Sequence, residues 1–167
     1  MCIRDSEETL NAMHNLALSY GTAGRVDEAL ALQKEVFEAR YNANGPKHPT
    51  TLMAMHNLGN SYTIAGQPGE ALQMREALVK LRLEVNGRNH PETVHSMRNL
   101  ASSYFNAGRI EEAVELQEEV VELYLEVLGP NRPEALRAIE KLASAYAALD
   151  RLDKAQALME GMRELQP

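Results

Sequence analysis

Thr93-Val94-His95-Ser96-Met97-Arg98-Asn99-Leu100-Ala101-Ser102-Ser103-Tyr104 is the stretch that decides the fold. Val94, Met97, Ala101 and Tyr104, with Leu100 beside them, recur at helical spacing, so the segment reads as an amphipathic helix. The same wording returns upstream and downstream. Rows begin at Thr9, Thr51, Thr93 and Ala135, each 42 residues after the last. One column of these rows reads Leu16, Leu58, Leu100, Leu142, and another reads Tyr20, Tyr62, Tyr104, Tyr146. Met13, Met55, Met97 and Ile139 stay large and apolar, while Ala17, Gly59, Ala101 and Ala143 stay small and let neighbouring helices approach. A period of this length marks stacked supersecondary units that bury their apolar faces only against one another.

Working outward from the helix, Gly24, Gly66 and Gly108 sit where it must end, because glycine takes the left-handed conformation of a C-terminal cap without steric cost. Asp150 holds that place in the fourth row and tolerates the conformation with some strain. A longer second helix follows. In the third row Ile110, Ala113, Val114, Gln117, Val120, Val121, Tyr124 and Val127 keep the i, i+3, i+4, i+7 rule, and the glutamates between them fall on outward faces. Gly45-Pro46-Lys47-His48-Pro49, Gly87-Arg88-Asn89-His90-Pro91 and Gly129-Pro130-Asn131-Arg132-Pro133 then join the rows, with glycine closing one helix and proline opening the next. The expected fold is all-α: a right-handed superhelical solenoid of four helix-turn-helix repeats. The expected repeats are 9–50, 51–92, 93–134 and an incomplete 135–167 without a capping helix. Residues 1–8 form an expected non-repeat leader, of which Met1 to Ser6 are set aside from the fold.

These residues resemble tetratricopeptide repeats, whose pattern has Leu, a small residue, Tyr, and then Ala after the turn; here that Ala is Ala29, Ala71, Ala113 and Ala155. The Asn99-Leu100-Ala101 and Gly87-Arg88-Asn89-His90-Pro91 blocks are similar to the 42-residue subtype of kinesin light chains and many bacterial repeat proteins. The resemblance covers about residues 9 to 165 and implies a module that binds peptides or protein surfaces. One departure stands out: the family's aromatic four residues after the second-helix alanine is replaced by Gln33, Arg75, Gln117 and Met159, which predicts looser packing at that column.

Composition narrows the function. The formal net charge of −7 opposes binding to nucleic-acid phosphates. No run is long and apolar enough for a membrane-spanning helix, which leaves a cytoplasmic location as the expectation. The one cysteine, Cys2, can supply neither an internal disulfide nor a cysteine metal cluster. No phosphate loop, nucleophile elbow or zinc-hydrolase motif occurs. His48 and His90 recur in the loops before proline, where helix entry accounts for them, and the spacing of His90 and His95 does not suit a metal pair. We expect no catalytic residue, metal site or cofactor.

The face of the first helix opposite Leu100 is the candidate site, since similar repeat proteins line a concave groove with it. In the first three rows it carries Asn11 and Asn15, then Met53, His56, Asn57 and Asn60, then His95, Arg98, Asn99, Ser102 and Asn106; the fourth row adds Arg137 and Lys141. An asparagine side chain can both donate to and accept from a peptide backbone, so Asn15, Asn57 and Asn99 suit an extended ligand. The alternative is that they bond neighbouring repeats and stiffen the stack. Arg and Lys would favour carboxylates of the ligand, unless they pair locally with Glu134 or Glu140. Helices roughly 8 to 10 Å apart and a chain advancing about 3.3 Å per residue give a ligand on the order of ten residues, acidic or polar, with apolar anchors near Leu18, Met53 and Ile64. The expected function is a scaffold or adaptor for a protein or linear peptide. The alternatives are an architectural segment that self-associates through the uncapped last repeat, and the sensor arm of a larger signalling protein.

Overall fold

A computed structural model describes residues 6–127, 129 and 132–164. They form eight helices: α1 (Glu7–Thr22), α2 (Val26–Asn44), α3 (Pro49–Ile64), α4 (Pro68–Asn86), α5 (Pro91–Asn106), α6 (Ile110–Val127), α7 (Pro133–Ala148) and α8 (Leu152–Glu164). No strand occurs among the described residues. The odd-numbered helices each have 16 residues, and α2, α4 and α6 have 19, 19 and 18. The chain divides into two compact units, residues 1–85 and 86–167.

Each hairpin turns in the same way, because the same backbone bond closes it. The amide of Arg25 donates to the carbonyl of Tyr20, and Gln67 to Tyr62, Arg109 to Tyr104 and Arg151 to Tyr146, each at 2.9 Å. This is the bond of a left-handed helix terminus. It puts Gly24, Gly66 and Gly108 at φ of 76°, 69° and 75°, and Asp150 at 56°. Asp150 therefore carries strain that glycine would not. Asp150→Gly should raise stability by about 1 kcal/mol, read as a higher urea midpoint; an unchanged or lower midpoint would show that the turn is unstrained.

Helix entry follows a second shared device. Pro49, Pro91 and Pro133 occupy the first helical position, where a missing N–H costs nothing. His48 Nδ1 accepts from the amide of Thr50 at 3.3 Å, and His90 Nδ1 from that of Glu92 at 3.2 Å. Ser6 holds the equivalent place before α1 and accepts from the amide of Thr9 at 3.2 Å. Ser6 is thus part of the repeat device, not of a leader to be set aside; residues 1–5, including Cys2, lie outside the described residues. Arg132 makes no side-chain cap before α7.

In the first unit Leu10, Val36 and Ala54 form one cluster with Met13 and Phe37 against it, and Leu52, Met55 and Leu78 form a second that also meets Phe37. In the second unit Met97, Leu100, Val120, Leu123, Ala138 and Leu142 are among the buried apolar residues. The leucine column is not uniform. Leu58, Leu100 and Leu142 are buried, but Leu16 is 44% exposed: α3 packs against the preceding α2, whereas no described helix precedes α1. The tyrosines are only partly buried in three of four copies, and each carries a cation over its ring: Arg25 on Tyr20 at 4.0 Å, Lys34 on Tyr62 at 5.2 Å, Arg109 on Tyr104 at 4.2 Å and Lys154 on Tyr146 at 5.2 Å.

Two of the four residues in the column expected to pack loosely do the opposite, while Arg75 and Met159 are half-buried. Gln33 and Gln117 are buried. Gln33 Nε2 lies 2.9 Å from Nδ1 of His14, and Gln117 Nε2 donates to the carbonyl of Ala138 at 3.0 Å. Each carboxamide ties its helix to a neighbour by a polar bond where the family pattern has an aromatic contact. In the second row Arg75 takes the column, and its Cγ lies 3.6 Å from where a Cβ on Gly59 would stand, an ordinary packing distance. The α6 glutamates are exposed or half-buried. One of them, Glu118, accepts from the Tyr146 hydroxyl. Burial first, and then this carboxylate, push the Tyr146 phenol up to about 12.

Candidate functional site

In each unit the first-helix face opens into a recess built from equivalent positions. In the first unit it is lined by Ala17, Leu18, Gly21 and Thr22 of α1, Val26, Ala29 and Gln33 of α2, and Ser61 and Ile64 of α3, enclosing about 280 Å³. In the second unit Ala101, Ser102, Phe105 and Asn106 of α5, Ala113 and Gln117 of α6, and Lys141, Ser144 and Ala145 of α7 enclose about 120 Å³. Alanines and a glutamine make both floors. Their walls differ: Leu18 and Ile64, both exposed, make the first apolar, and Ser102, Asn106 and Lys141 make the second polar and cationic.

The structure places the residues expected from the sequence in different surroundings. Ser102, Asn106 and Lys141 line the recess just described. His95, Arg98 and Arg137 line a different and larger one of about 610 Å³, together with Arg132, Leu123, Tyr124 and Val127. Asn11 and Asn60 are engaged within the chain. Asn11 Oδ1 accepts from Arg40 Nη2 at 2.7 Å, while Asn60 Oδ1 accepts from Arg75 Nη2 at 3.1 Å and its Nδ2 lies 3.1 Å from His56 Nε2. Desolvation lowers the pKa of that half-buried Arg75. Met53 is exposed.

Asn15, Asn57 and Asn99 behave differently. Among the described residues their side chains make no hydrogen bond within the chain, so the alternative of asparagines stiffening the stack finds no bond to rest on. Local pairing fails in the same way: among the described residues, Arg137 and Lys141 form no ion pair with Glu134 or Glu140. The floor residues Gln33 and Gln117 and the wall residues Arg132 and Tyr124 are not among the site residues expected from the sequence. The identity of Gln33 and Gln117 two rows apart is their visible signal.

Among the described residues, no group of three or more His, Cys, Asp or Glu could hold a metal ion, and no helix is long and apolar enough to cross a membrane.

The tetratricopeptide repeat model matches residues 8–84, 62–125 and 96–160, which together span most of the chain. The chain belongs to the tetratricopeptide repeat family. Its kinesin-light-chain character is supported by a solved structure from Podosopora anserina, of a kinesin light chain type with nearly identical tetratricopeptide-like repeats. That structure is 32% identical at a TM-score of 0.87 over 94% of this chain and 74% of the other. BtubC (BKLC) from P. vanneervenii superposes at 0.83 with 14% identity, covering 95% of this chain and 63% of that one. MamA from Desulfovibrio magneticus RS-1 superposes at 0.71 with 18% identity, covering 98% and 77%. These two share the fold alone. No curated protein sequence matches the chain. As a tetratricopeptide repeat protein, the chain is a protein-interaction repeat scaffold.

Proposed function

We propose that each unit of this repeat protein captures an extended polypeptide segment on its first-helix faces, with Asn15 and Asn57 in the first unit and Asn99 in the second bonding the ligand backbone, and the recess of each unit reading a side chain. The observation that carries this reading is the state of the three asparagines: they recur at one helix position, yet their carboxamides have no partner within the chain among the described residues. A polar group at a groove position with no internal bond gains most from an external one. The recess of Leu18, Val26 and Ile64 suits an apolar side chain, and the recess of Ser102, Asn106 and Lys141 suits a polar or acidic one. The ligand is a protein segment or linear peptide, acidic in part, and no catalytic step is involved.

A peptide array probed with the purified chain tests this, alongside the Asn57→Ala plus Asn99→Ala double variant with its helical content checked by circular dichroism. Captured segments should bind the double variant at least about fivefold more weakly, as expected for one lost hydrogen bond of roughly 1 kcal/mol in each unit. Equal capture by both chains would remove the asparagines from the site. Self-association is a second reading. It is favoured by an apolar recess of about 450 Å³ shared by α6, α7 and α8, lined by Val121, Leu125, Leu158 and Met162, with exposed Leu152 on the same helix as Leu158. A mass that rises with concentration and falls after Leu158→Glu would support it, and a constant monomer mass would dismiss it.

A further inference from the structure

The second unit holds a recess lined by three arginines that the repeat pattern does not require. At the equivalent positions the first unit has His14, His48 and Met53; the second has Arg98, Arg132 and Arg137. In the opposite direction, Arg40 of the first unit gives way to Tyr124 of the second. This exchange changes what the site can bind. Arg40 is buried and committed: its Nη2 donates to Glu7 at 3.0 Å and to Asn11 at 2.7 Å. The places of Glu7 and Asn11 are taken in the second unit by Pro91 and His95.

The three arginines instead line an open recess of about 610 Å³. Among the described residues none of the three makes a hydrogen bond or ion pair, although Glu92 and Glu134 line the same recess, where the three guanidinium groups outnumber the two carboxylates. The recess is walled on one side by the buried side chains of Val94, Leu123 and Tyr124. An apolar wall lowers the local dielectric and strengthens any charge-assisted bond made against it. Three planar forks offer more donors than the two oxygens of one carboxylate can accept, and they suit a phosphoryl group, whose three acceptor oxygens share a charge of about −2.

We infer that this recess takes a phosphoryl group carried on a side chain of the bound polypeptide, with Arg98, Arg132 and Arg137 as its donors and Leu123 and Tyr124 as the surface for an adjoining apolar side chain. The inference rests on the proposed capture of a polypeptide only in its choice of ligand, and it names a different recess from the one that holds Ser102 and Lys141.

The test titrates the full chain with a capped peptide of sequence glycine-leucine-serine-leucine-glycine in three forms: serine unmodified, phosphorylated, or replaced by glutamate. Calorimetry should show the phosphorylated form binding at least about tenfold more tightly than either other form. The Arg98→Gln plus Arg137→Gln double variant, with helicity unchanged, should lose that preference, and Arg25→Gln, outside the recess, should keep it. Equal binding of all three forms, equal binding of the glutamate and phosphorylated forms, or a preference that survives in the double variant would each overturn the inference. If the array captures segments through the asparagines while no phosphoryl preference appears, this inference falls and the groove reading stands. A blank array with a retained preference leaves the phosphoryl site standing and removes the groove reading.

Discussion

Leu58→Ala should lower stability by about 3 kcal/mol, whereas Leu16→Ala, the same change in the same repeat column, should lower it by less than about 1 kcal/mol. Leu58 is 2% exposed and Leu16 is 44% exposed. Truncating the first removes the side chain beyond Cβ from a packed interior and leaves a cavity that neighbouring helices close only in part. Truncating the second removes surface that water already reaches. The comparison holds chemistry, helix type and repeat position constant, so the difference isolates burial. Urea unfolding followed by circular dichroism measures it. Because helical arrays need not unfold in one step, the midpoints rather than extrapolated energies carry the comparison. Similar losses at both positions would mean that α1 is covered in solution, by self-association or by a partner, and would favour the architectural reading.

Gln117→Glu should cost about 3 kcal/mol or more near neutral pH. Gln117 is buried, and its Nε2 donates to the Ala138 carbonyl. A glutamate there replaces the donor by an ionised oxygen facing a carbonyl oxygen in a dry contact. The sign of the pH dependence follows. Burial raises the folded-state pKa of the new carboxyl above its unfolded value of about 4.3, an effect that Lys141 in the same recess offsets only in part. The protonated form donates as the carboxamide did, so the deficit relative to the native chain is small near pH 4 and grows as the pH rises through the unfolded value toward the folded one. Midpoints at pH 4 and 7 check it. A deficit that does not change with pH would place the residue in contact with water and return the column to the loose packing that the sequence suggests.

Gln117 also shows where the sequence is legible and where it is not. The 42-residue register, the glycine turns and the proline starts are readable because each is a local backbone requirement carried by one residue: left-handed φ at Gly24, Gly66 and Gly108, and a first helical position without an N–H at Pro49, Pro91 and Pro133. The glutamine column misleads, because its meaning lies in the atom it meets, a carbonyl 21 residues away. Leu16 misleads for the opposite reason. Its identity matches its column, but burial depends on what packs outside the helix.

The candidate site divides along the same line. Asn11 and Asn60 look like Asn57 and Asn99 in sequence, yet Arg40 and Arg75 reach them from the following helix and occupy their acceptors. The recess of Arg98, Arg132 and Arg137 draws on three helices and a loop, so the face rule for one helix finds Arg98 and Arg137 but misses Arg132 and Tyr124. Comparison of the two units position by position reveals it, since charges that move between equivalent positions stand out against a repeat that otherwise holds.

The most direct measurement is a nuclear magnetic resonance titration of the side-chain amides with a segment captured from the array. Capture on the first-helix faces predicts that the carboxamide signals of Asn15, Asn57 or Asn99 move on binding, while that of Gln156, on α8 and outside both recesses, stays in place. Movement confined to residues of the second helices, with all three asparagine signals unchanged, would contradict it.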